Sequence, residues 1–323
     1  MRIPVWKSEP AVAAEDLWYA RSWFQVSPRD KLFMIWGHSH LLGRGFRGWL
    51  NARRRTFNDW LLGYYRSSAY DLSEGGLRAA GRALLQFRPN YVLGYAVALD
   101  RFAQYHSAEK AAFRALGLKA VIATAESFPR ASSRESLADL FGCPVVMEYG
   151  AVETGPLAHQ RLDGCYQVFW RHYYVESIPF PPMPGSHQIV VTSLYPRCLS
   201  LVRYKLGDLI EVTERSCSPA REFFAVGGRC NDLVHLPDGR VVHSEAFTHA
   251  VKESAMGAFQ LRETEEGIQL RYTAPRCLSD EELAHIRHRL SRISPELATI
   301  RLEQVEVLES TIAGKTRRYW RQL

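Results

Sequence analysis

Hydrophobic positions along this chain follow two spacings, and the change between them predicts its elements. From Glu15 to Tyr105 the pattern reads mainly helical. Leu77, Leu84 and Leu85 with Phe87 lie at near-helical spacing ahead of a stop at Pro89. The apolar run Tyr91-Val-Leu-Gly94 predicts a short strand, and a helix follows through Leu99, Phe102 and Tyr105. Lys119 to Thr124 reads as a buried strand, Ser133 to Phe141 as a helix, and Pro144 to Tyr149 as a further strand. Strands alternating with helices imply a mainly parallel sheet with crossover helices.

From Gln167 onward the pattern changes. Val168-Phe-Trp170, His187 to Thr192 and Leu209 to Val212 are short strands divided by Pro- and Gly-rich turns, with Pro179 to Gly185 a loop. This part predicts an antiparallel β subdomain. A boundary is expected near Gly227-Gly228-Arg229. Beyond it, Phe259–Arg262, Ile268–Tyr272 and Arg301–Val305 read as strands. A helix between the last two opens at Ser279-Asp280 and carries Leu283, Ile286, Leu290 and Ile293 on one face. The expected fold class is α/β, a layered mainly parallel sheet with an antiparallel β subdomain and a small C-terminal α+β domain. The expected domains are 1–228 and 229–323. No internal repeat or low-complexity tract is present.

Composition narrows the picture. With 323 residues, 46% hydrophobic and 23% charged, the chain can bury one large core and a smaller one. No stretch is apolar enough for a spanning helix, and Met1 to Lys7 has no apolar core of a signal peptide. The six cysteines are scattered without a C-x-x-C pair and read as reduced thiols. A cytoplasmic protein with no membrane partner is expected. The net charge of +7 is carried mostly by arginine, most densely from Arg44 to Arg55. Such a run could meet nucleic acid or another anion, but no nucleic-acid fold signature accompanies it, and a solvated helix face is the simpler reading.

Four constellations could carry chemistry. In Tyr149-Gly-Ala-Val-Glu-Thr-Gly155, Gly150 permits a tight turn directly after a buried strand. Glu153 then projects at the carboxyl end of the sheet, where ligands of open α/β folds bind and where a carboxylate can hold Mg²⁺ against phosphate. Alone, it is equally a surface glutamate. In Arg203-Tyr-Lys-Leu-Gly-Asp208 the aspartate suits the two hydroxyls of a ribose and the arginine suits phosphate or carboxylate; alone, it is equally a Gly-Asp turn. Gly227-Gly-Arg-Cys-Asn-Asp232 joins two composition regimes and reads as a hinge or a plain turn. In Ala313-Gly-Lys-Thr-Arg-Arg318 the lysine is placed to meet a carboxylate or phosphate, or to be part of a basic tail.

Taken in order, these four segments resemble the adenylate-forming superfamily, most closely its phenylacetate-CoA ligase-like and capsule-biosynthesis branch. Gly117-Leu-Lys119, Thr124-Ala-Glu126, Phe141-Gly142 and Arg88 to Tyr95 match that branch too, so the resemblance runs from about Trp36 to Arg318. It implies ATP-dependent activation of a carboxylic acid as an acyl-adenylate, followed by transfer to coenzyme A, another thiol or an amine. It implies Glu153 as the Mg²⁺ ligand, Tyr149 stacking on or bordering the adenine, with Gly150 in the same nucleotide-binding turn. It further implies Asp208 on the ribose and Arg229 on the nucleotide. Lys315 would bridge carboxylate and α-phosphate, and Asn231 with Asp232 would sit at the pivot of a mobile C-terminal domain. Trp36, His38, Tyr95 and Glu126 are the implied acyl-pocket residues. A Cys-rich metal site known in the branch is reduced here to Cys217.

One departure from the pattern stands out. The family's Ser/Thr/Gly-rich phosphate loop is not found, and Met1 to Lys7 resembles the segment just after it. Three readings follow: a shortened enzyme, one half of a split ligase whose partner polypeptide supplies the loop, or a member that no longer adenylates and serves in binding or assembly. The edge normally covered by that segment is expected to expose apolar surface and favour homo-oligomers.

Overall fold

The computed structural model describes residues 14–37, 45–212, 219–230, 233–236, 238–251, 254–264, 267–309 and 319–320. In chain order the elements begin with α1 (Ala14–Ser22), β1 (Leu32–Trp36), α2 (Gly45–Leu61), β2 (Tyr64–Ser68), α3 (Glu74–Phe87), β3 (Tyr91–Tyr95), α4 (Ala96–Tyr105), α5 (Lys110–Arg114), β4 (Ala120–Thr124), α6 (Ser133–Phe141), β5 (Val145–Ala151), β6 (Gly155–Gln160) and β7 (Tyr166–Val168). They continue with β8 (Tyr173–Pro179), β9 (Ser186–Ser193), β10 (Tyr204–Glu211), β11 (Glu222–Phe223), β12 (Ala225–Arg229), β13 (Leu233–His235), β14 (Val241–His243), α7 (Glu245–Val251), β15 (Phe259–Thr264), β16 (Gly267–Tyr272), α8 (Asp280–Ser291), β17 (Arg301–Gln304) and β18 (Tyr319–Trp320).

The stretch up to Tyr105 is mainly helical as expected, but it also holds β1 and β2, which were not expected and which pair in parallel. Leu32-Phe-Met-Ile-Trp36 is apolar at every position because both of its faces are covered. A doubly buried strand therefore shows no alternation to read. The strand expected at Val168-Phe-Trp170 lies slightly earlier, at Tyr166–Val168.

The chain divides into two compact units. The first is Met1–Ser177, Val190–Leu206 and Val212–Ala225; the second is Ile178–Ile189, Gly207–Glu211 and Val226–Leu323. The first unit is built on an eight-stranded sheet of order β11-β7-β6-β5-β4-β3-β1-β2. From β2 to β5 all pairings are parallel; from β5 through β6 and β7 to β11 they are antiparallel. Successive residues point to opposite faces. Phe33, Ile35, Val92 and Val121 join Leu84, Leu99, Phe102, Phe113 and Leu137 of the helices in one core. Leu32, Met34, Tyr91, Leu93 and Ile122 join Phe24 and Val26 beneath Trp18 and Trp23 in a second. Burying both faces is what a parallel sheet needs.

The second unit has its own core of Val234, Phe247, Leu261, Leu270, Tyr272, Ile286 and Leu290. A sheet of order β17-β16-β15-β18 and the hairpin β13-β14 supply the strands. Helix α8 starts as its sequence dictates, with a reciprocal capping box. The Ser279 hydroxyl accepts from Glu282 N–H, and the Glu282 carboxylate accepts from Ser279 N–H. A separate sheet has the order β12-β10-β9-β8. The molecule is thus α/β with a large mainly parallel sheet and a smaller C-terminal α+β part. Among the described residues no helix is long and apolar enough to cross a membrane.

Candidate functional site at the carboxyl ends of the parallel strands

Parallel strands with crossover helices place the ends of their strands side by side, and in such sheets ligands bind at the carboxyl ends. Trp36 closes β1, Tyr95 closes β3, and Glu126 follows β4 within two residues. The rings of Trp36 and Tyr95 meet at 4.8 Å between centroids. Gly37 is needed beside them, because a Cβ there would lie 2.4 Å from the Tyr70 ring. The Tyr70 hydroxyl in turn donates to the Gly37 carbonyl at 2.6 Å. Glu126 accepts from the Val97 amide at 3.1 Å, placing a negative charge at the N-terminus of α4. Burial, reinforced by Tyr70 and Glu126, pushes the Tyr95 phenol above its ordinary pKa, so it remains a donor at neutral pH. Ala125, between strand and glutamate, takes φ of 72°, a left-handed conformation that side chains other than glycine rarely adopt.

The next strand carries the first constellation. Beta-strand β5 pairs in parallel with β4 and antiparallel with β6, so the sheet changes sense here, and the ladder is shifted between Tyr149 and Gly150. Gly150 has no substitute at this point, since a Cβ would lie 2.3 Å from the Gly155 carbonyl oxygen. The turn closes through Thr154, whose hydroxyl accepts from the Ala151 amide at 3.2 Å and donates to the Gly155 carbonyl at 2.8 Å. The Tyr173 hydroxyl donates to the Thr154 carbonyl from below. Glu153 is half-buried, and its carboxylate accepts from the Tyr204 hydroxyl at 3.4 Å. The Tyr149 ring stands edge-on to Phe223 at 5.7 Å and to Tyr166 at 6.4 Å. Those two rings stack on each other at 4.9 Å.

One residue earlier, Glu148 points to the opposite face. Arg21 Nε of α1 donates to its carboxylate at 2.7 Å, and both side chains are almost wholly buried. Burial works against the Arg21 charge, but the adjoining Glu148 carboxylate outweighs it and holds the pKa above its ordinary value. His159 Nε2 lies 3.7 Å from the same carboxylate.

In the second unit Arg229 Nε donates to Asp208 at 3.0 Å, so the predicted ribose and nucleotide residues are joined. The structure therefore gathers Trp36, Tyr95 and Glu126 at one set of strand ends, Tyr149, Gly150 and Glu153 in one turn, and Asp208 with Arg229. His38, Asn231, Asp232 and Lys315 lie outside the described residues, as does Cys217. Arg203, read as a phosphate or carboxylate contact, donates to Glu176 at 3.0 Å. Sequence reasoning missed Tyr204, Tyr70 and Tyr173. Tyr204 lay within a quoted motif, but its partner is too distant in sequence for any local pattern to reveal. Among the described residues no three His, Cys, Asp or Glu side chains come together as a metal cage.

No family model matches this chain. It is 24% identical to Protein CapK of Staphylococcus aureus over 153 residues, 45% of this chain and 31% of CapK. The match thus spans less than a third of that relative. Among solved structures, 2-hydroxyisobutyryl-CoA ligase in the postadenylation state, in complex with R3-HIB-AMP, superposes with a TM-score of 0.62 at 17% identity. That superposition covers 96% of this chain and 69% of the ligase. The ATP-bound RpMatB-BxBclM chimera B3 gives 0.61 at 15% identity, over 95% and 62%. Amide bond synthetase McbA from Marinactinospora thermotolerans gives 0.60 at 14% identity, over 94% and 64%. This chain has the fold of adenylate-forming ligases. The α/β class expected from the strand and helix pattern is the one found.

Proposed function

We propose that this protein activates a carboxylic acid with ATP, forming an acyl-adenylate and pyrophosphate, and then passes the acyl group to a thiol such as coenzyme A or to an amine. The observation that carries the reading is the Tyr149–Gly155 turn. It lies where the sheet changes sense, and it aims one carboxylate from the carboxyl end of the strands with an aromatic ring at its base. A single carboxylate suits Mg²⁺, which binds through one or two carboxylates together with substrate phosphate oxygens. Held by Glu153, the ion would offset the negative charge that gathers at the α-phosphate.

The other roles belong to this chain's side chains. Tyr149 would border the adenine. Asp208 would accept the ribose hydroxyls, steadied by its ion pair with Arg229, and Arg229 would contact the nucleotide. Trp36, His38, Tyr95 and Glu126 would line the acyl site, where an aromatic wall favours an aryl or otherwise apolar acid. Lys315 would neutralise the carboxylate and α-phosphate as they approach. We place the boundary of the mobile C-terminal domain at residue 229, with Asn231 and Asp232 as pivot. A branch of the phenylacetate-CoA ligase and capsule-biosynthesis type fits this set best.

The test is acid-dependent pyrophosphate release by the purified chain with ATP, Mg²⁺ and a panel of aromatic and aliphatic acids. Release that depends on one acid supports the reading and names the substrate class. No release from a folded preparation would overturn it in favour of a binding or assembly protein, or of one half of a split ligase.

A further inference from the structure

Helix α2 turns its bulky apolar side chains away from the protein. Trp49, Phe57 and Trp60, with Leu50 and Leu61, recur at helical spacing on one stripe, and Leu62 follows directly. Their exposures are 52%, 61%, 71%, 53%, 68% and 57% respectively. A helix of a folded domain ordinarily buries such a stripe. Here the side toward the sheet carries Asp59 instead, buried, with both carboxylate oxygens accepting from Arg66 of β2 at 2.6 and 3.0 Å.

The charge on the outward side has one sign. Arg53 lies over the Trp49 ring at 4.8 Å, and Arg54 is exposed beside it. Asp59 is the single acid between Gly45 and Leu62, and Arg66 already neutralises it. Exposed Lys31 precedes Leu32, whose amide donates to the Gly63 carbonyl just past the helix; its ammonium lies over the Phe87 ring at 5.7 Å.

We propose that α2 seats this protein on a membrane surface that bears anionic lipids, lying in the headgroup plane with Trp49, Phe57, Trp60 and Leu61 in the acyl boundary. The geometry fits that solvent. The stripe combines tryptophan, phenylalanine and leucine with Arg53 among them, its aliphatic stem able to lie along the apolar surface while its charge reaches the headgroups, and with Arg54 at the edge, a composition of helices that lie on a bilayer rather than span it. Anionic headgroups supply the negative charge that the helix lacks. Pairing with a second copy through the same stripe would set Arg53 and Arg54 against their own kind with no acid between them. Nucleic acid would satisfy the arginines but leave Leu50, Leu61 and Leu62 without apolar cover. This proposal departs from the expectation of no membrane partner, which rested on the lack of a spanning segment; a helix lying on the surface is a different class.

The test uses the full chain with sedimented vesicles of phosphatidylcholine alone, and of phosphatidylcholine with phosphatidylglycerol at about one part in three. The chain should sediment with the mixed vesicles and not with the neutral ones, and brominated acyl chains should quench its tryptophan fluorescence. Trp60→Ser with Leu61→Ser, both at exposed positions, should lower partitioning roughly tenfold or more. Its circular dichroism and melting temperature should match those of the parent. Arg53→Gln with Arg54→Gln should lower partitioning by about fivefold for each arginine. Absence of binding to mixed vesicles would overturn the proposal. So would binding that the Trp60 and Leu61 substitutions leave intact, which would mark a basic patch only. A dimer in analytical ultracentrifugation that those substitutions dissolve, without vesicle binding, would assign the stripe to a second copy.

Discussion

Arg21 and Glu148 form a buried ion pair, Nε to Oε1 at 2.7 Å, on the face of β5 opposite Tyr149. It ties α1 to the strand that carries the candidate nucleotide turn. A buried charge left without its partner is costly. Arg21→Met should therefore destabilise the protein by about 3 kcal/mol or more, read from urea unfolding. Arg21→Met combined with Glu148→Leu should recover most of that loss. A single variant as stable as the parent would refute this account of the pair.

His159 should make stability fall in mild acid. Burial pushes its pKa below 6.5, aided by Arg21, and the nearby Glu148 carboxylate does not reverse it. Folded His159 therefore stays neutral at pH values where the unfolded chain takes up a proton. Its contribution is complete above the unfolded value and is lost as pH falls through the lowered folded value. Unfolding midpoints measured from about pH 7 to about pH 5 should drop more steeply for the parent than for His159→Asn. Equal slopes would exclude the residue as a source.

Gly150→Ala should destabilise the protein by about 1–3 kcal/mol, because a methyl group there meets backbone rather than a yielding side chain. Thermal melts would show it. An unchanged melting temperature would mean that the turn is not as tight as described.

Under the proposed function, Lys315→Ala and Glu153→Gln should each lower acid-dependent pyrophosphate release by about 100-fold or more. Tyr204→Phe, which removes the 3.4 Å hydrogen bond to Glu153, should lower it by about tenfold or less. Lys315→Ala with normal release would remove that residue from the mechanism.

The elements most legible in the sequence were those with local signals. Ser133 to Phe141 forms α6 over the expected span, ending at a left-handed Gly142. Ser279 and Glu282 cap α8 reciprocally. The strand β1 was illegible for a physical reason, since burial on both faces removes the alternation that marks a half-exposed strand. The candidate turn at Tyr149–Gly155 was legible because a glycine after an apolar run has few other uses. The partnerships Tyr204 with Glu153 and Arg21 with Glu148 were not, because each joins residues far apart in the chain whose charge or hydroxyl alone reads as surface. The outward stripe of α2 was visible only as a basic run, and its direction needed the fold.

The change of sense at β5 also sets an expected order of assembly. Strands β5, β6 and β7 are consecutive hairpins, whereas β1 pairs with β3 only after α2, β2 and α3 have been placed, Leu32 meeting Tyr91. Loop closure delays contacts between distant parts of the chain. Pulse-labelled hydrogen exchange during refolding should protect the amides of β5 and β6 before those of β1. Simultaneous protection would rule out that order. In the expected sequence, the turn bearing Glu153 exists as a hairpin tip before Trp36 ever reaches Tyr95, so lesions in β1 or β3 should leave behind a nucleus that still holds the Tyr149–Gly155 turn.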